Sequence, residues 1–266
     1  MDTDKNIMKM PKIMGILNVT PDSFSDGGDA FAPRNALYAA EKMVQEGADI
    51  LDIGAESTRP GSVALSAGEE IERLESILPL LAQNISVPLS IDTYKAKTAS
   101  FALSCGVQIV NDVHGFRYDP DMAKVTKDAD AYCILMHQKE QKNEDDDIIE
   151  HVKAVLGHSI EIALAANIAK EKIILDIGIG FGKTYQQNLT LLKHQAAFCE
   201  FFQLPFLIGA SRKSFIGHFL NIESPKERDA ATLAVHIDAV QKGHAQIVRA
   251  HNVKMHYEAF KILELL

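Results

Sequence analysis

Short apolar, β-branched runs recur along the chain, separated by longer stretches whose apolar positions fall three or four apart. The runs are KIMGILNV, ADILDIG, VPLSID, VQIVND, AYCILMH, KIILDIG, LPFLIGAS and AQIVRAH, eight of them. Each is apolar along nearly its whole length, which suits a parallel strand covered on both faces. Between them, residues 33–47 place Ala36, Ala39, Ala40, Met43 and Val44 on one face. Residues 66–82 do the same with Ile71, Leu74, Ile77, Leu78 and Leu81. Residues 145–169 and 226–242 repeat the theme, and Asn252 is placed to cap a last helix. Alternating strands and helices demand right-handed crossovers and a parallel sheet. Eight units predict an α/β fold closed as a (β/α)8 TIM barrel, with an open doubly wound sheet as the alternative. No linker interrupts the pattern, so residues 1–266 are expected to form a single domain with its core from about residue 12 to residue 265.

Barrels of this kind carry their chemistry at the C-terminal ends of the strands. Here the eight ends supply Asn18; Glu56, Thr58 and Arg59; Asp92; Asn111 and Asp112; His137; Asp176; Ser211, Arg212, Lys213 and Ser214; and Arg249 with His251. A barrel that only had to fold would not need a polar group at every one. Any single Asp or Asn there can instead cap the following helix, and for Asp112, Glu56 and Asp92 that reading stays open. Asp176 lies among apolar residues, where a carboxylate is costly unless paired, which favours a ligand contact. His137 reads either as a site residue or as a satisfied rim histidine. GIGFG has alternate glycines but not the spacing of a dinucleotide fingerprint; it predicts a tight turn that lets a flat ligand approach the backbone. Arg249, His251, Lys213 and Arg59 gather positive charge at one mouth, suggesting an anionic substrate portion such as phosphate.

The net charge of −9 argues against non-specific nucleic-acid binding and leaves any anion to be held by such local groups. Three scattered cysteines, Cys105, Cys133 and Cys199, show no metal spacing and read as free thiols. The first residues, MDTDKNIMKM, lack the apolar core of a signal peptide, and no apolar run is long enough to span a bilayer. The expected setting is the reducing cytoplasm, with no membrane or nucleic-acid partner.

Taken together, GILNVTPDSFSDGG, GADILDIGAESTRPG, PLSIDTYKAKTA, IVND, LMH, GFGK, GASRKSFIG and VRAHNV, in that order from residue 15 to residue 253, resemble the dihydropteroate synthases, pterin-binding transferases of folate synthesis. The resemblance implies a (β/α)8 barrel that joins 6-hydroxymethyl-7,8-dihydropterin pyrophosphate to 4-aminobenzoate, with Mg²⁺ as cofactor and a homodimer as the assembly. By the same resemblance Asp92, Asn111, Asp176 and Lys213 hold the pterin and Phe181 walls it. Asn18, Arg59, Arg249 and His251 hold the pyrophosphate, and Asn18 also helps place the metal. Thr58, Pro60 and Ser214 line the aminobenzoate site. TPDSFSDGG and STRPGSV become two lids, with Phe24 covering the second substrate and Asp26 helping to close the site. Asp92, Lys213, Arg249 and His251 are the residues implied in the chemistry.

Four stretches depart from the family pattern. Ile177 stands where many relatives have proline, Asn252 where Asp is common, NDVHGF replaces a Ser-Gly-Gly ending, and QKEQKNEDDD follows LMH. Rival readings are a folate-dependent methyltransferase, a Schiff-base aldolase using Lys213, and a pterin-binding protein without turnover.

Overall fold

The computed structural model describes residues 10–19, 32–56, 64–139 and 147–266. In chain order its elements are β1 (Lys12–Asn18), α1 (Ala32–Gln45), β2 (Ile50–Gly54), α2 (Ala67–Leu74), α3 (Leu78–Asn84), β3 (Leu89–Asp92), α4 (Ala96–Ser104), β4 (Ile109–Asp112) and α5 (Met122–Asp128). There follow β5 (Tyr132–Met136), α6 (Ile148–Ala165), β6 (Ile173–Asp176), α7 (Tyr185–Lys193), α8 (Gln195–Phe202), β7 (Phe206–Ile208), α9 (Ser214–Leu220), α10 (Asp229–Gln241), β8 (Ile247–Ala250) and α11 (Val253–Leu263). The strands pair in parallel, each with the next, and β1 closes on β8. The eight-strand barrel that the hydrophobic pattern predicts is the fold.

The period of the strands sorts the core into two parts. One face of each strand meets the helices; the other faces the axis. Met14, Ile50, Ile109, Ile134, Ile174, Leu207 and Ile247 form a separate apolar cluster inside the barrel, a plug contributed by seven strands. The larger core lies between sheet and helices, where Ala36 and Ala40 of α1 and Leu74, Leu78 and Leu81 of α2 and α3 are fully buried.

The 66–82 pattern is two helices, not one. Pro79, in the first turn of α3, has no N–H and its ring would crowd the carbonyl four residues back, so the chain re-enters as a new helix while keeping the same apolar face. Asn252 does cap the last helix, its side chain accepting the Met255 amide at 3.2 Å. Among the described residues no helix is long and apolar enough to cross a membrane.

Candidate active site

Two residues up each strand from the apolar plug, toward the C-terminal end, the inward positions are Ile16, Asp52, Asn111, Met136, Asp176, Gly209 and Arg249. Side-chain alternation alone therefore stacks a polar layer on an apolar floor. Asn18, Gly54 and Asp92 stand at the next level on the first three strands.

Arg249 ties this layer together. Its Nε donates to Asp52 Oδ2 at 2.6 Å and its Nη2 to Asp92 Oδ2 at 2.7 Å. Asn111 Nδ2 donates to the same Asp52 oxygen at 3.0 Å. Burial opposes the charge on Arg249, but the two carboxylates more than offset it and hold its pKa above the ordinary value. Burial, with Asp52 nearby, drives Asp92 well above the usual carboxylate range, while Arg249 pulls it back. Asp52 was not among the expected site residues, although a fully buried Asp in the middle of ADILDIG was a signal of the same kind as Asp176.

Asp176 closes the other side. Its Oδ1 accepts the Gly178 amide at 2.7 Å. Gly209 leaves Oδ2 uncovered, since a Cβ there would lie 3.6 Å from it. Burial raises the Asp176 pKa against the pull of Gly178 and Lys213. The Lys213 ammonium sits 3.7 Å from the centre of the Phe181 ring. Burial and Arg249 lower the Lys213 pKa to about 8, with Asp176 and Asp92 acting the other way. Strand ends β3, β4, β6 and β8 and the loops after β6 and β7 thus bring Asp92, Asn111, Asp176, Lys213, Phe181 and Arg249 together at one end of the barrel.

The rim is held by loop-to-loop ties. The Ser211 hydroxyl lies 2.8 Å from His251 Nδ1 and also accepts the His251 amide at 3.2 Å. Ser214 begins α9 directly after Lys213 and is exposed. Asn18 ends β1, with Oδ1 3.7 Å from where a Gly54 Cβ would stand, beside Asp92. Phe24, Asp26, Thr58, Arg59 and Pro60 lie outside the described residues. The base of the second of their segments is fixed from described positions: Glu56 accepts the Leu65 amide at 3.1 Å and pairs with Lys95, which also reaches Glu70 at 3.2 Å.

Several readings left open in the sequence resolve as structural. Asp112 accepts the amides of His114 at 2.7 Å and Phe116 at 2.8 Å, shaping its own loop. His137 is fully buried, with Nε2 3.0 Å from His151 Nδ1, so it is a packed histidine and not a rim group. The alternate glycines of GIGFG serve the protein's own packing rather than a ligand's approach. Gly178, Gly180 and Gly182 all have positive φ, and a Cβ on the first or last would overlap the carbonyl oxygen of His137 or Lys139. Lys183 pins this turn by donating to the carbonyls of His137 (3.2 Å), Gly178 (2.6 Å) and Phe181 (3.1 Å). Asn252, one of the departures, donates from Nδ2 to Asp229 Oδ2 at 3.1 Å, a bond an ionised Asp could not make.

The sequence matches the family model described as pterin binding enzyme over residues 14–251. The chain belongs to the dihydropteroate synthase family of pterin-binding enzymes. A Clostridium beijerinckii dihydropteroate synthase is 42% identical over 264 residues, covering 98% of this chain and 96% of that protein. The crystal structure of a Clostridium difficile dihydropteroate synthase obtained with pteroic acid superposes with a TM-score of 0.92 at 43% identity, covering 98% of each chain. A Xanthomonas albilineans dihydropteroate synthase with 4-aminobenzoic acid gives a TM-score of 0.91 at 37% identity, covering 97% of this chain and 93% of that one. The four departures from the dihydropteroate synthase pattern therefore sit within a full-length match, and the one at Asn252 has a structural partner of its own.

Proposed function

We propose that the polar layer holds a dihydropterin and that the rim above it holds the diphosphate leaving group, so that the bond between them breaks inside the mouth of the barrel. The activity is that of a dihydropteroate synthase: 6-hydroxymethyl-7,8-dihydropterin pyrophosphate and 4-aminobenzoate give 7,8-dihydropteroate and pyrophosphate. The observation that carries the assignment of roles is that buried Asp176 and Asn111 converge with part-buried Asp92 and Lys213 directly above an apolar plug.

A 2-amino-4-oxopyrimidine edge presents adjacent N–H donors, and Asp176 keeps acceptor capacity for both after serving Gly178. Lys213 and Asn111 supply donors for the ring's acceptors, and Phe181 walls the pocket while seating the Lys213 ammonium. Arg249 spends one N–H on Asp52 and one on Asp92, and its remaining N–H groups face the leaving anion. His251 joins them: its Nδ1 is engaged by the Ser211 hydroxyl, and in the tautomer in which that hydroxyl donates, Nε2 carries the proton for a phosphate oxygen. Asn18, Arg59, Thr58, Pro60, Phe24, Asp26 and Ser214 complete the anion and aminobenzoate sites by their family positions.

In the reaction the carbon–oxygen bond breaks with its electron pair going to pyrophosphate, and the exocyclic carbon shares positive charge with the ring nitrogens. Asp92 stabilises that charge, and Arg249 beside it favours the ionised carboxylate the task requires. The arylamine then forms the carbon–nitrogen bond, and its proton leaves to solvent or pyrophosphate.

Mg²⁺ fits as a lightly held ion. Among the described residues no cluster of three His, Cys, Asp or Glu could hold a metal, and Asp52 and Asp92 are engaged by Arg249, which leaves the Asn18 side-chain carbonyl as a hard oxygen at the mouth. One protein oxygen with diphosphate oxygens and water is an ordinary shell for this ion, and when bound it neutralises leaving-group charge. The whole chain, with its core from about residue 12 to 265, acts as one catalytic unit, homodimeric and cytoplasmic; three free thiols are compatible with a reducing compartment.

The test is pyrophosphate release with both substrates and Mg²⁺, then with each omitted in turn. Release should require all three. Lys213→Ala and Asp176→Asn should each weaken pterin binding at least about tenfold. Affinity unchanged within about twofold in both would remove the pocket assignment.

A further inference from the structure

Behind the site, two histidines that belong to neither substrate pocket form a continuous chain of hydrogen bonds between the loops that carry the rim. The Ala210 amide donates to His236 Nε2 at 3.1 Å. His236 Nδ1 lies 2.9 Å from His256 Nε2, and His256 Nδ1 lies 2.8 Å from the Asn252 carbonyl oxygen. Both rings are essentially buried. A backbone amide can only donate and a backbone carbonyl can only accept, so the two ends fix every proton between them. His236 must accept at Nε2 and carry its hydrogen on Nδ1. His256 must then accept at Nε2 and carry its hydrogen on Nδ1.

The ends of the chain are the functional loops. Ala210 precedes Ser211, Arg212 and Lys213, and Asn252 follows His251. One face of α10 grips the first loop over two successive turns: Thr232 Oγ1 takes the Arg212 amide at 3.0 Å, and His236, four residues on, takes that of Ala210. The grip has strain to hold, because Arg212 has a φ of +59°. Asp229 adds a bidentate pair to Arg212 at 2.6 and 2.8 Å and accepts from Asn252, tying the same two loops from the other side.

We propose that His236 and His256 are positioning residues of the reaction, a neutral two-imidazole relay that sets the Lys213 loop against the Arg249–Asn252 segment. It rests on the roles assigned above to Lys213 and His251. The relay tolerates no extra proton. A hydrogen on His236 Nε2 would oppose the Ala210 N–H. One on His256 Nε2 would force His236 to shift its own to Nε2, with the same clash. Burial and the neighbouring ring lower the pKa of His236; burial likewise lowers that of His256. Asp229 is the charged group that favours a proton on His256, and Phe260 packs against the other side of that ring.

Two measurements test the relay. Long-range proton–nitrogen correlation on the ligand-free protein should show both rings as neutral Nδ1–H tautomers from pH 7.5 to about pH 5.5. An Nε2–H tautomer in either, or ordinary titration around the unperturbed value of about 6.5, would overturn it. In steady-state assays His236→Leu should lower kcat/KM for the pterin pyrophosphate about tenfold. His236→Gln, whose amide again sets an acceptor beside a donor, should recover it to within roughly threefold of the parent. Equal activity of Leu and Gln variants would reject a positioning role. If the Leu variant does not fold, the tautomer spectrum and the Gln variant decide. A parent enzyme that releases no pyrophosphate would sink the functional reading and leave the tautomers to judge the relay.

Discussion

Asp52 is a fully buried anion that depends on Arg249, a part-buried cation that also holds Asp92. Truncating one partner of such a pair leaves the second charge uncompensated, which costs about 3–5 kcal/mol. Arg249→Leu, which strips Asp52 and Asp92 of their shared cation, should lower unfolding free energy by that order in urea titrations, and should weaken catalysis by removing a donor to the leaving anion. A loss under about 1 kcal/mol would mean that the pair is not buried as described. The pH profile follows from the same layer. Asp92 is raised above the ordinary carboxylate value of 3.8, and Lys213 is lowered to about 8. As pH falls through the Asp92 value its carboxylate is protonated and can no longer stabilise the developing cation. As pH rises past about 8, Lys213 loses its charge and its grip on the pterin. A plot of kcat/KM, which reports the free enzyme, should therefore be bell-shaped with both limbs drawn toward neutrality. A profile flat from pH 5 to 10 would contradict both assignments. That Asp92, Asn111, Asp176 and Lys213 share one end of the barrel was legible in the sequence, because they end strands or follow them in motifs. Asp52 carried the same signal as Asp176, a carboxylate among apolar residues, but its pairing with Arg249, 197 residues away, exists only once the barrel has closed.

At the scale of elements, the turn after β6 separates folding from binding. A Cβ on Gly178 would overlap backbone, the carbonyl oxygen of His137, whereas one on Gly180 would meet only the Lys213 stem, 2.9 Å from its Cδ. Both positions also have positive φ, at 67° and 85°. Gly178→Ala should therefore cost about 2–4 kcal/mol of stability, since backbone must move. Gly180→Ala should cost less stability but displace Lys213 and weaken pterin binding more than it shifts the melting temperature. Calorimetric scans paired with pterin titrations separate the two; the reverse order of effects would show that the turn does not work this way. The alternate glycines were visible in the sequence, but their partners were not, because the His137 and Lys139 carbonyls belong to the preceding strand end. The division of residues 66–82 into α2 and α3 was within reach, since Pro79 is in plain view; the unbroken apolar face masked it. The eight strands were easier, because burial on both faces writes itself as continuous apolar runs.

Across the whole molecule, buried titratable groups pull stability in opposite directions with pH. His236 and His256 are neutral in the fold with lowered pKa values, so below about 6.5 the unfolded chain binds more protons than the native one. Each such ring withdraws about 1.4 kcal/mol of stability per pH unit as pH falls through that window. Asp92 and Asp176 have raised values, so between the ordinary carboxylate value and their own the native state binds more protons, and they add stability as pH falls. His137 and His251, also lowered by burial, pull the same way as these two rings, and Asp112 the same way as the two carboxylates, so the parent's profile is a sum of opposing groups. Removing the imidazoles of His236 and His256 unmasks their share. The stability cost of replacing both with glutamine, measured by urea unfolding at pH 7, should shrink by about 2 kcal/mol at pH 5.5, because the variant no longer carries two rings that must stay uncharged. A cost that stayed constant with pH would mean that the rings titrate in the native state as they do in the unfolded chain, and the tie between the Lys213 and His251 loops would then have no fixed proton order.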